Sequence, residues 1–310
     1  MREFELLGRI FAHNSALPAH VVVPPGDDMA MLALRGAQRL LVAADSVIEG
    51  RHTPVGIDPY AIGRKAILRN VSDVAAMANA RPIATVAAVV LPRGISEARA
   101  WRLYEGLRDT AQAWDAPLVG GDIATASGDD AHVPITASVT ILAVPLDESR
   151  PVATRDAARA GDGVYVTGTI GGAWDPATGL GRHLDFTPRV TAAQVLGSQL
   201  GDRLGAMLDV SDGLGRDLGH LADASRVTIE VDLAQIPVTA GCDPRAAIAQ
   251  GEDYELAFTA RGSVPDEVAG VRVTRIGTVR EGPAAVVAID GTRRFDVRNA
   301  GFEHGGGDAR

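Results

Sequence analysis

Asn70-Val-Ser-Asp73 and Asp209-Val-Ser-Asp212 are two short strings that agree at three of four positions, one in each half of the 310-residue chain. Each string leads into a segment with helical patterning. A chain of this length is predicted to form two domains of roughly 100–200 residues each. One copy of the string in each half favours two domains built to a similar plan, although a match of four residues also arises by coincidence.

The segments around the strings are predicted to be a mixture of strands and helices. Residues 39–45 and 83–91 are apolar runs typical of buried strands, and residues 96–114 have apolar side chains at helical spacing. Residues 59–80 are predicted to be helical with an interruption near Asn70-Asp73. Because strands and helices do not alternate strictly, the order favours an α+β fold over a doubly wound sheet.

A linker is predicted where the composition changes near the middle of the chain. The run from Pro145 to Pro151 is polar and flanked by prolines, as linkers between domains are. We therefore predict an N-terminal domain over residues 1–146, a C-terminal domain over residues 147–304 and a disordered tail over residues 305–310.

The composition argues against several classes of protein. The chain has 39 acidic and 30 basic residues and a net charge of −9, which argues against nucleic acid or a membrane surface as partner. Cys242 is the only cysteine, so an internal disulfide and multi-cysteine metal motifs are excluded. Lys65 is the only lysine and no G-x-x-x-x-G-K-[ST] string occurs, so a P-loop is not expected.

The start of the chain gives the expected location. It carries charges throughout residues 1–10 and lacks the apolar core of a signal peptide. The most apolar run, residues 85–91, is far shorter than the ~20 residues that cross a bilayer. A cytoplasmic protein is the expectation.

Carboxylates that interrupt apolar or small-residue stretches are the most informative feature of the sequence. Each is predicted to lie where a strand or a glycine turn gives way to a loop or a helix. Any one of them has an ordinary alternative role, as a turn residue or a helix cap. Together they would repel one another unless a cation joined them, and magnesium prefers carboxylates and phosphates. The pattern predicts a site for several magnesium ions and phosphorylated ligands, built from Asp28 or its neighbour Asp27, Asp45, Asp73, Asp122, Asp209 and Asp212.

Two further features have both a structural and a functional interpretation. Gly251-Glu-Asp-Tyr-Glu-Leu256 is either an exposed helix start, where acids are favoured, or a segment that turns Glu252 and Asp253 towards a cleft. His52 follows Asp45 by seven positions. A lone histidine is usually a surface or core residue, yet this one lies close to a predicted metal ligand.

In this combination and order, the motifs resemble the thiamine-monophosphate kinase family, part of the superfamily that also holds aminoimidazole ribonucleotide synthetase. The resemblance runs from Phe4 to about Phe302. The segments that carry it are Gly26-Asp-Asp28, Asp45 with Glu49-Gly-Arg-His52, Gly63-Arg-Lys-Ala66, Asn70-Val-Ser-Asp-Val-Ala-Ala-Met77, Gly120-Gly-Asp122, residues 155–162, Tyr165-Val-Thr-Gly168, Asp209-Val-Ser-Asp-Gly-Leu214 with Asp217, and Gly251-Glu-Asp-Tyr-Glu-Leu256.

The resemblance implies a fold, an activity and partners. The fold is an aminoimidazole ribonucleotide synthetase-like α+β fold with an N-terminal mixed-sheet domain that dimerises and a C-terminal α/β sandwich domain. The activity is ATP-dependent phosphorylation of thiamine monophosphate to thiamine diphosphate, the last step of its biosynthesis. The partners are ATP, thiamine monophosphate, several Mg²⁺ ions and a second copy of the chain.

The resemblance also implies roles for individual residues. The six aspartates named above, with Asp28 rather than Asp27 at the first position, would be magnesium ligands, ATP would contact Gly121, Asp122, Arg155 and Ser211, and thiamine monophosphate would contact His52 and Glu252. No catalytic base is assigned, because the acceptor phosphate is already largely dianionic near neutral pH. Metal ions and positioning would then supply the catalysis.

Departures from the family pattern leave two alternatives open. Ala43 and Ala44 stand where hydroxyl side chains are usual, and Asn299 stands where an aromatic residue is expected near the substrate ring. One alternative is a related ATP-dependent enzyme with another small substrate, although the chain lacks the N-terminal and C-terminal cysteines of two such relatives. The other is a catalytically weak homologue that binds nucleotide and thiamine phosphate.

Overall fold

A computed structural model describes residues 3–13, 17–36, 38–126 and 133–303 of the chain. The tail predicted to be disordered, residues 305–310, lies outside the described residues. Two mixed β-sheets and the helices packed on them make up the described part of the molecule. The α+β prediction is therefore confirmed.

The first sheet is formed by the first half of the chain. Its strands run in the order β1-β2-β3-β6-β4-β5, and all neighbours are antiparallel except the parallel pair β4–β5. Helix α2 lies on one face of the sheet and α3 packs on α2. The bounds are α1 Glu3–His13, β1 Val21–Val23, β2 Ala30–Ala33, β3 Arg39–Ile48, α2 Pro59–Ala76, β4 Ala80–Leu91, α3 Glu97–Ala113, β5 Leu118–Thr125 and β6 Thr136–Pro145.

Two glycines allow α2 and α3 to cross closely. A Cβ atom at Gly63 would collide with the backbone of Leu103, and one at Gly106 would collide with the backbone of Tyr60. Only hydrogen fits at both positions, so the two helices meet backbone to backbone. This contact holds α2 firmly over the sheet, and α2 carries several residues of the candidate site.

The other face of the first sheet remains open. Along β4, Ala87, Val89 and Leu91 are buried beneath the helices, whereas Val86 and Val90 on the opposite face are exposed. Strands alternate their side chains between two faces, so this pattern means that helices cover only one of them. The exposed face carries mostly small and aliphatic side chains, and we refer to it below as the open face.

The second sheet is formed by the second half of the chain, in the order β14-β13-β9-β12-β7-β10-β8, with β11 paired to β12. Its single parallel pair is β9–β13. The bounds are β7 Gly163–Thr167, α4 Val190–Leu200, β8 Leu204–Val210, α5 Leu214–Ser225, β9 Thr228–Asp232, α6 Pro244–Ala247, β10 Glu255–Ala260, β11 Glu267–Val268, β12 Val271–Arg280, β13 Ala285–Asp290 and β14 Arg293–Asp296, with short 3₁₀ turns at Arg182–Leu184, Gly201–Arg203 and Leu233–Gln235.

The two halves share part of their core. Helix α4 packs against α2, and the largest cluster of buried apolar side chains includes Val71 from the first half with Leu196 and Phe258 from the second. Apolar burial of this kind stabilises the arrangement of the two sheets as well as each sheet itself. The carboxylates that face the seam between the halves are thus held on packed elements.

Three details of the predicted elements are wrong. Helix α2 continues through Asn70-Asp73 without a break, and the Asn70 side chain donates to the Ala66 carbonyl one turn earlier. Asp45 and Asp122 lie inside strands β3 and β5, whereas a loop or helix was predicted to begin at each.

Within the described ranges, no helix is both long and apolar enough to cross a bilayer.

Candidate active site

A cavity of about 590 Å³ lies where β2, β3 and α2 face the segment that follows β8. Its walls are unusually acidic. The charged groups that line it are Glu3, Asp27, Asp28, Asp45, Asp73, Asp209 and Asp212, opposed by Arg69 and Arg155. Both halves of the chain supply carboxylates, which agrees with the convergence predicted from the sequence.

Three of these carboxylates meet at one point. Asp28 precedes β2, Asp73 lies in the last turns of α2, and Asp209 is near the end of β8. One oxygen from each lies within 4.8 Å of the others. The Ser72 hydroxyl donates to Asp209 at 2.6 Å and orients it. Three oxygen ligands at this spacing fit the coordination that Mg²⁺ takes in proteins, so this cluster could hold one such ion.

Burial raises the pKa values of the cavity acids. The pKa of Asp73 is raised well above its ordinary value by burial and by the charges of Asp45, Asp209 and Asp28. Burial and the Asp28 charge raise the pKa of Asp209 to about 7. Burial likewise raises the pKa values of Asp27 and Asp212 to about 6. Carboxylates that are buried close to one another bind either protons or metal cations, so the site favours positively charged ligands.

Two arginines partly balance the acids. Arg155 makes two hydrogen bonds to Asp28, and its backbone N–H donates to Asp27 at 2.9 Å. Arg69 donates to Asp45 at 3.2 Å and to the Ser46 carbonyl at 3.0 Å. Arg69 was not among the residues predicted from the sequence. Its position four residues before Asp73 on a helix, which places both on one face, is the signal that could have found it.

The loop after β8 is shaped by Asp217 in α5. One oxygen of the Asp217 carboxylate accepts the backbone N–H groups of Ser211, Asp212 and Gly213 at 3.0–3.1 Å. Helix α5 starts at Gly213 without a side-chain cap, and Asp73 lies inside α2. Neither Asn70-Val-Ser-Asp73 nor Asp209-Val-Ser-Asp212 is therefore a helix cap. The Asp212 side chain lines the cavity.

His52 and Glu252, predicted to contact the substrate, have different relations to the cavity. His52 lines it, is 5% exposed, and its Nδ1 accepts the backbone N–H of Ile48 at 2.9 Å. Glu252 does not line the cavity, and its carboxylate contacts Lys65 and Tyr254. Burial alone would raise the pKa of Glu252, but the charges of Lys65 and Arg69 and the hydrogen bond from Lys65 hold it well below its ordinary value.

Gly121 and Asp122 are the predicted ligands that one chain does not bring to the cavity. They lie on the edge strand β5, separated from β3 by β4 and β6. The register places Asp122 in one cross-strand row with Ala88, Ser138 and Ser46 on the open face. The row spans three strand spacings, about 14 Å.

A second cavity, of about 670 Å³, adjoins the first. The two share Gly26, Asp27, Arg155, Ser211 and Asp212 as lining residues. Together they form a continuous acidic trough with Arg155 and Ser211 at its centre. A phosphate chain could pass along Arg155 and Ser211 while the ends of two ligands occupy the two cavities.

The positions that depart from the family pattern also lie in this region. Ala43 and Ala44 line the first cavity and supply no side-chain oxygen there. Asn299 lines the second cavity. The nearby Phe302 ring has the Arg51 guanidinium over its face, 4.5 Å from the ring centre.

Comparison with known proteins places the chain in a family. Residues 26–144 match the family model described as AIR synthase related protein, N-terminal domain. The thiamine-monophosphate kinase of Escherichia coli (strain K12) is 34% identical over 285 residues, covering 83% of this chain and 82% of that protein.

Solved structures agree with the sequence relatives. The fold is similar to that of AaThiL complexed with AMPPCP and TMP, with a TM-score of 0.75 and 27% identity over 95% of this chain and 96% of the other. It is also similar to the thiamine-monophosphate kinase of Stenotrophomonas maltophilia K279a, with a TM-score of 0.69 and 32% identity over 93% and 97% of the two chains. The resemblance inferred from the motifs is confirmed.

Proposed function

We propose that this chain, which belongs to the thiamine-monophosphate kinase family, transfers the γ-phosphate of ATP to thiamine monophosphate. Membership of the family makes it a kinase, a phosphotransferase that acts on a phosphate group as acceptor. The observation that carries the proposal is the meeting of Asp28, Asp73 and Asp209 in a cavity that Arg155 also lines.

The reaction requires two anionic ligands to approach each other. Two unit charges 4 Å apart repel by about 4 kcal/mol at an effective dielectric constant of about 20, and both phosphates carry more than one charge. Arg155 and Arg69 supply fixed positive charge, but the acids around them outnumber them. The residues present fit magnesium, and bound Mg²⁺ would neutralise the phosphates and align them for in-line transfer.

In this proposal each part of the trough has its own task. Asp28, Asp45, Asp73, Asp209 and Asp212 hold the metal ions. Arg155 and Ser211, which line both cavities, contact the ATP phosphates. His52 and Glu252 lie on the thiamine-phosphate side. The acceptor is already ionised, so no residue has to remove a proton from it.

We further propose that the chain acts as a homodimer joined through the open face. Val86 and Val90 are exposed there on a four-strand stretch of small and apolar side chains, the type of surface that a partner covers. Asp122 lies on the same face. A second copy would bring Gly121 and Asp122 to the site as ligands from across the interface, which a single chain does not achieve.

Turnover tests the proposal directly. Purified protein incubated with ATP, Mg²⁺ and thiamine monophosphate is expected to form ADP and thiamine diphosphate in equal amounts. A nucleotide blank without thiamine monophosphate is the control for ATP hydrolysis. If no thiamine diphosphate forms with Mg²⁺ or Mn²⁺ while calorimetry shows tight binding of thiamine monophosphate, the chain is a weak-turnover binding homologue and the proposal is wrong. The cytoplasmic location expected from the sequence remains a prediction.

A further inference from the structure

Lys65 lies completely buried in α2, at 0% exposure, and joins three separate segments of the chain. Its ammonium group donates to the backbone carbonyl of His52 at 2.8 Å. It also lies 2.7 Å from Nδ1 of His183 and contacts the Glu252 carboxylate. His52 belongs to the first half of the chain, and His183 and Glu252 to the second. One side chain thus ties the two halves together beside the cavity.

The three contacts match the hydrogen-bonding capacity of a lysine. An ammonium group has three N–H donors, and a carbonyl oxygen, a ring nitrogen and a carboxylate receive them. His183 can accept at Nδ1 because its Nε2 lies 3.1 Å from the Gly179 carbonyl and donates its proton there. The network therefore engages the donors of Lys65 and sets the tautomer of His183.

The residue type at this position is itself informative. The chain has 30 cationic residues, and all except Lys65 are arginines. A guanidinium group is a planar fork that suits carboxylates and phosphates at a surface, whereas these three acceptors converge on one point. The position therefore requires the compact, rotating donor that only lysine supplies.

Contacts with neighbouring groups stabilise the position of Glu252. Its backbone has a φ of +70°, and that of Tyr254 has a φ of +53°, both in a region that side chains rarely adopt. The Glu252 N–H donates to the Ser211 carbonyl at 2.7 Å, and the Tyr254 hydroxyl donates to the Glu252 carboxylate at 3.1 Å. Lys65 adds the positive charge in this set of contacts.

We propose that Lys65 is a positioning residue that sets His52 and Glu252, and so prepares the cleft for thiamine monophosphate. The inference rests on the proposed function, because it takes these two residues to be on the thiamine-phosphate side. Lys65 itself is buried and does not touch the ligand. Its loss would remove the cation in direct contact with the Glu252 carboxylate and free the His52 turn, while Arg155 on the nucleotide side would keep its contacts.

Calorimetry on the full chain with Mg²⁺ tests this proposal without requiring turnover. Two affinities are measured, that of a non-hydrolysable ATP analogue and that of thiamine monophosphate in its presence. In K65M and K65R the affinity for thiamine monophosphate is expected to fall at least about tenfold, since one partner of a buried charge pair is lost or misplaced. The affinity for the ATP analogue is expected to change less than about twofold.

Q194A is the matched control. The Gln194 side chain in α4 donates to the Ala80 carbonyl in β4 at 2.8 Å, so it also links the two halves, but away from the cavity. Q194A is expected to lower the melting temperature while leaving both affinities unchanged. If K65M weakens both ligands equally, or if Q194A weakens thiamine monophosphate as much as K65M does, Lys65 is only a structural link and the proposal is overturned.

Two further comparisons complete the test. The loss of thiamine monophosphate affinity in K65M/E252Q is expected to be smaller than the sum of the losses in K65M and E252Q, because Lys65 acts partly through Glu252; fully additive losses would overturn this route. The double variant also replaces K65M if the unpaired Glu252 charge prevents folding. A wild-type chain that binds thiamine monophosphate without phosphorylating it refutes the proposed function alone. If the wild-type chain phosphorylates thiamine monophosphate and K65M binds it with normal affinity, only the role of Lys65 is refuted. If the wild-type chain does not bind thiamine monophosphate, both the proposed function and the role of Lys65 are refuted.

Discussion

Asp28 and Arg155 form a two-pronged ion pair although 127 positions separate them in the sequence, with Oδ1–Nη2 and Oδ2–Nε distances of 2.7 and 3.2 Å. The Asp28 side chain is 1% exposed and that of Arg155 is 21% exposed. The pair joins the edge of the first sheet to the segment that precedes the second. It also places a fixed positive charge beside the carboxylate cluster, so it links the assembly of the two halves to the chemistry of the site.

R155M should therefore damage both stability and turnover. Removing one partner of a buried pair costs about 3–5 kcal/mol, and the partial exposure of Arg155 favours the lower end, about 3 kcal/mol. Urea denaturation measures this loss, and an assay of thiamine diphosphate formation is expected to show turnover reduced at least about 100-fold.

R155K and D28N/R155M separate the two effects. R155K keeps the charge but loses the fork, so it should recover part of the stability without recovering turnover. D28N/R155M removes the unpaired carboxylate and should be more stable than R155M. A double variant as unstable as R155M would show that packing, and not the charge pair, sets the loss.

The sequence predicted the fold class and the convergence of the acids, because both depend on local patterns. Five of the six predicted aspartates line one cavity, as their positions beside apolar stretches suggested. The sixth, Asp122, is on the open face. Whether a carboxylate lies inside a strand or at its end is decided by pairing partners distant in the sequence, so this placement could not be predicted.

Contacts between residues distant in the sequence also explain why several supporting residues were not predicted. Lys65 was notable only as the single lysine, and its three acceptors come from positions 52, 183 and 252. The contact of Arg69 with Asp45 likewise becomes visible only when α2 is packed against β3. Individual residue types predict a class of chemistry, whereas long-range packing decides which groups support it.

D73N and D45N should change stability in opposite directions when no divalent metal is present. The Asp73 carboxylate is buried among like charges, so asparagine at this position removes repulsion and should raise the melting temperature. The gain should be largest near neutral pH and vanish below about pH 4, where unfolded aspartate also holds its proton. Asp45 instead pairs with Arg69, so D45N removes the carboxylate that the Arg69 guanidinium contacts and should lower the melting temperature.

Both substitutions should reduce turnover at least about 100-fold if the two residues hold metal ions. Differential scanning fluorimetry with EDTA measures the first effect and a product assay the second. Full activity of either variant at low Mg²⁺ would contradict the assignment of that residue as a ligand. A rise in the melting temperature of D45N would show that the Asp45–Arg69 ion pair does not stabilise the folded protein.

The stabilisation by Mg²⁺ should grow as the pH rises. Without metal, the folded protein binds protons on Asp209 up to about pH 7 and on Asp27 and Asp212 up to about pH 6, whereas the unfolded chain loses them near pH 4. Raised pKa values in the folded state mean that the contribution of these three groups to metal-free stability is greatest below about pH 4 and declines as the pH rises through about 7.

Metal ions have to displace those protons, so their affinity falls in acid. The melting temperature measured with EDTA and with Mg²⁺ between pH 5 and pH 8 should therefore show a gap that widens with pH. D209N should flatten the part of the curve near pH 7 while leaving the part near pH 6. A constant gap across the range would mean that these carboxylates do not receive the metal.

Mixing two inactive variants should restore activity if Asp122 serves the partner's site. D122N retains a complete cluster of Asp28, Asp73 and Asp209 but lacks the carboxylate on the open face, and D209N has the opposite defect. In a mixed dimer, the D122N chain would receive Asp122 from the D209N chain and form one complete site. Random exchange makes half of the dimers mixed, each with one of two sites intact, so about a quarter of wild-type turnover is expected.

The controls define what this experiment decides. Each variant alone should be inactive, and V86E, which places a charge on the open face, should prevent both dimer formation and rescue. Size-exclusion chromatography with light scattering confirms the assembly state before each assay. If the mixture stays inactive although mixed dimers form, each chain would have to supply Asp122 to its own site. The separation of β3 from β5 by two strands would then have to change when ligands bind, because the row through Ala88 and Ser138 leaves Asp122 on the opposite side of the sheet from Asp45.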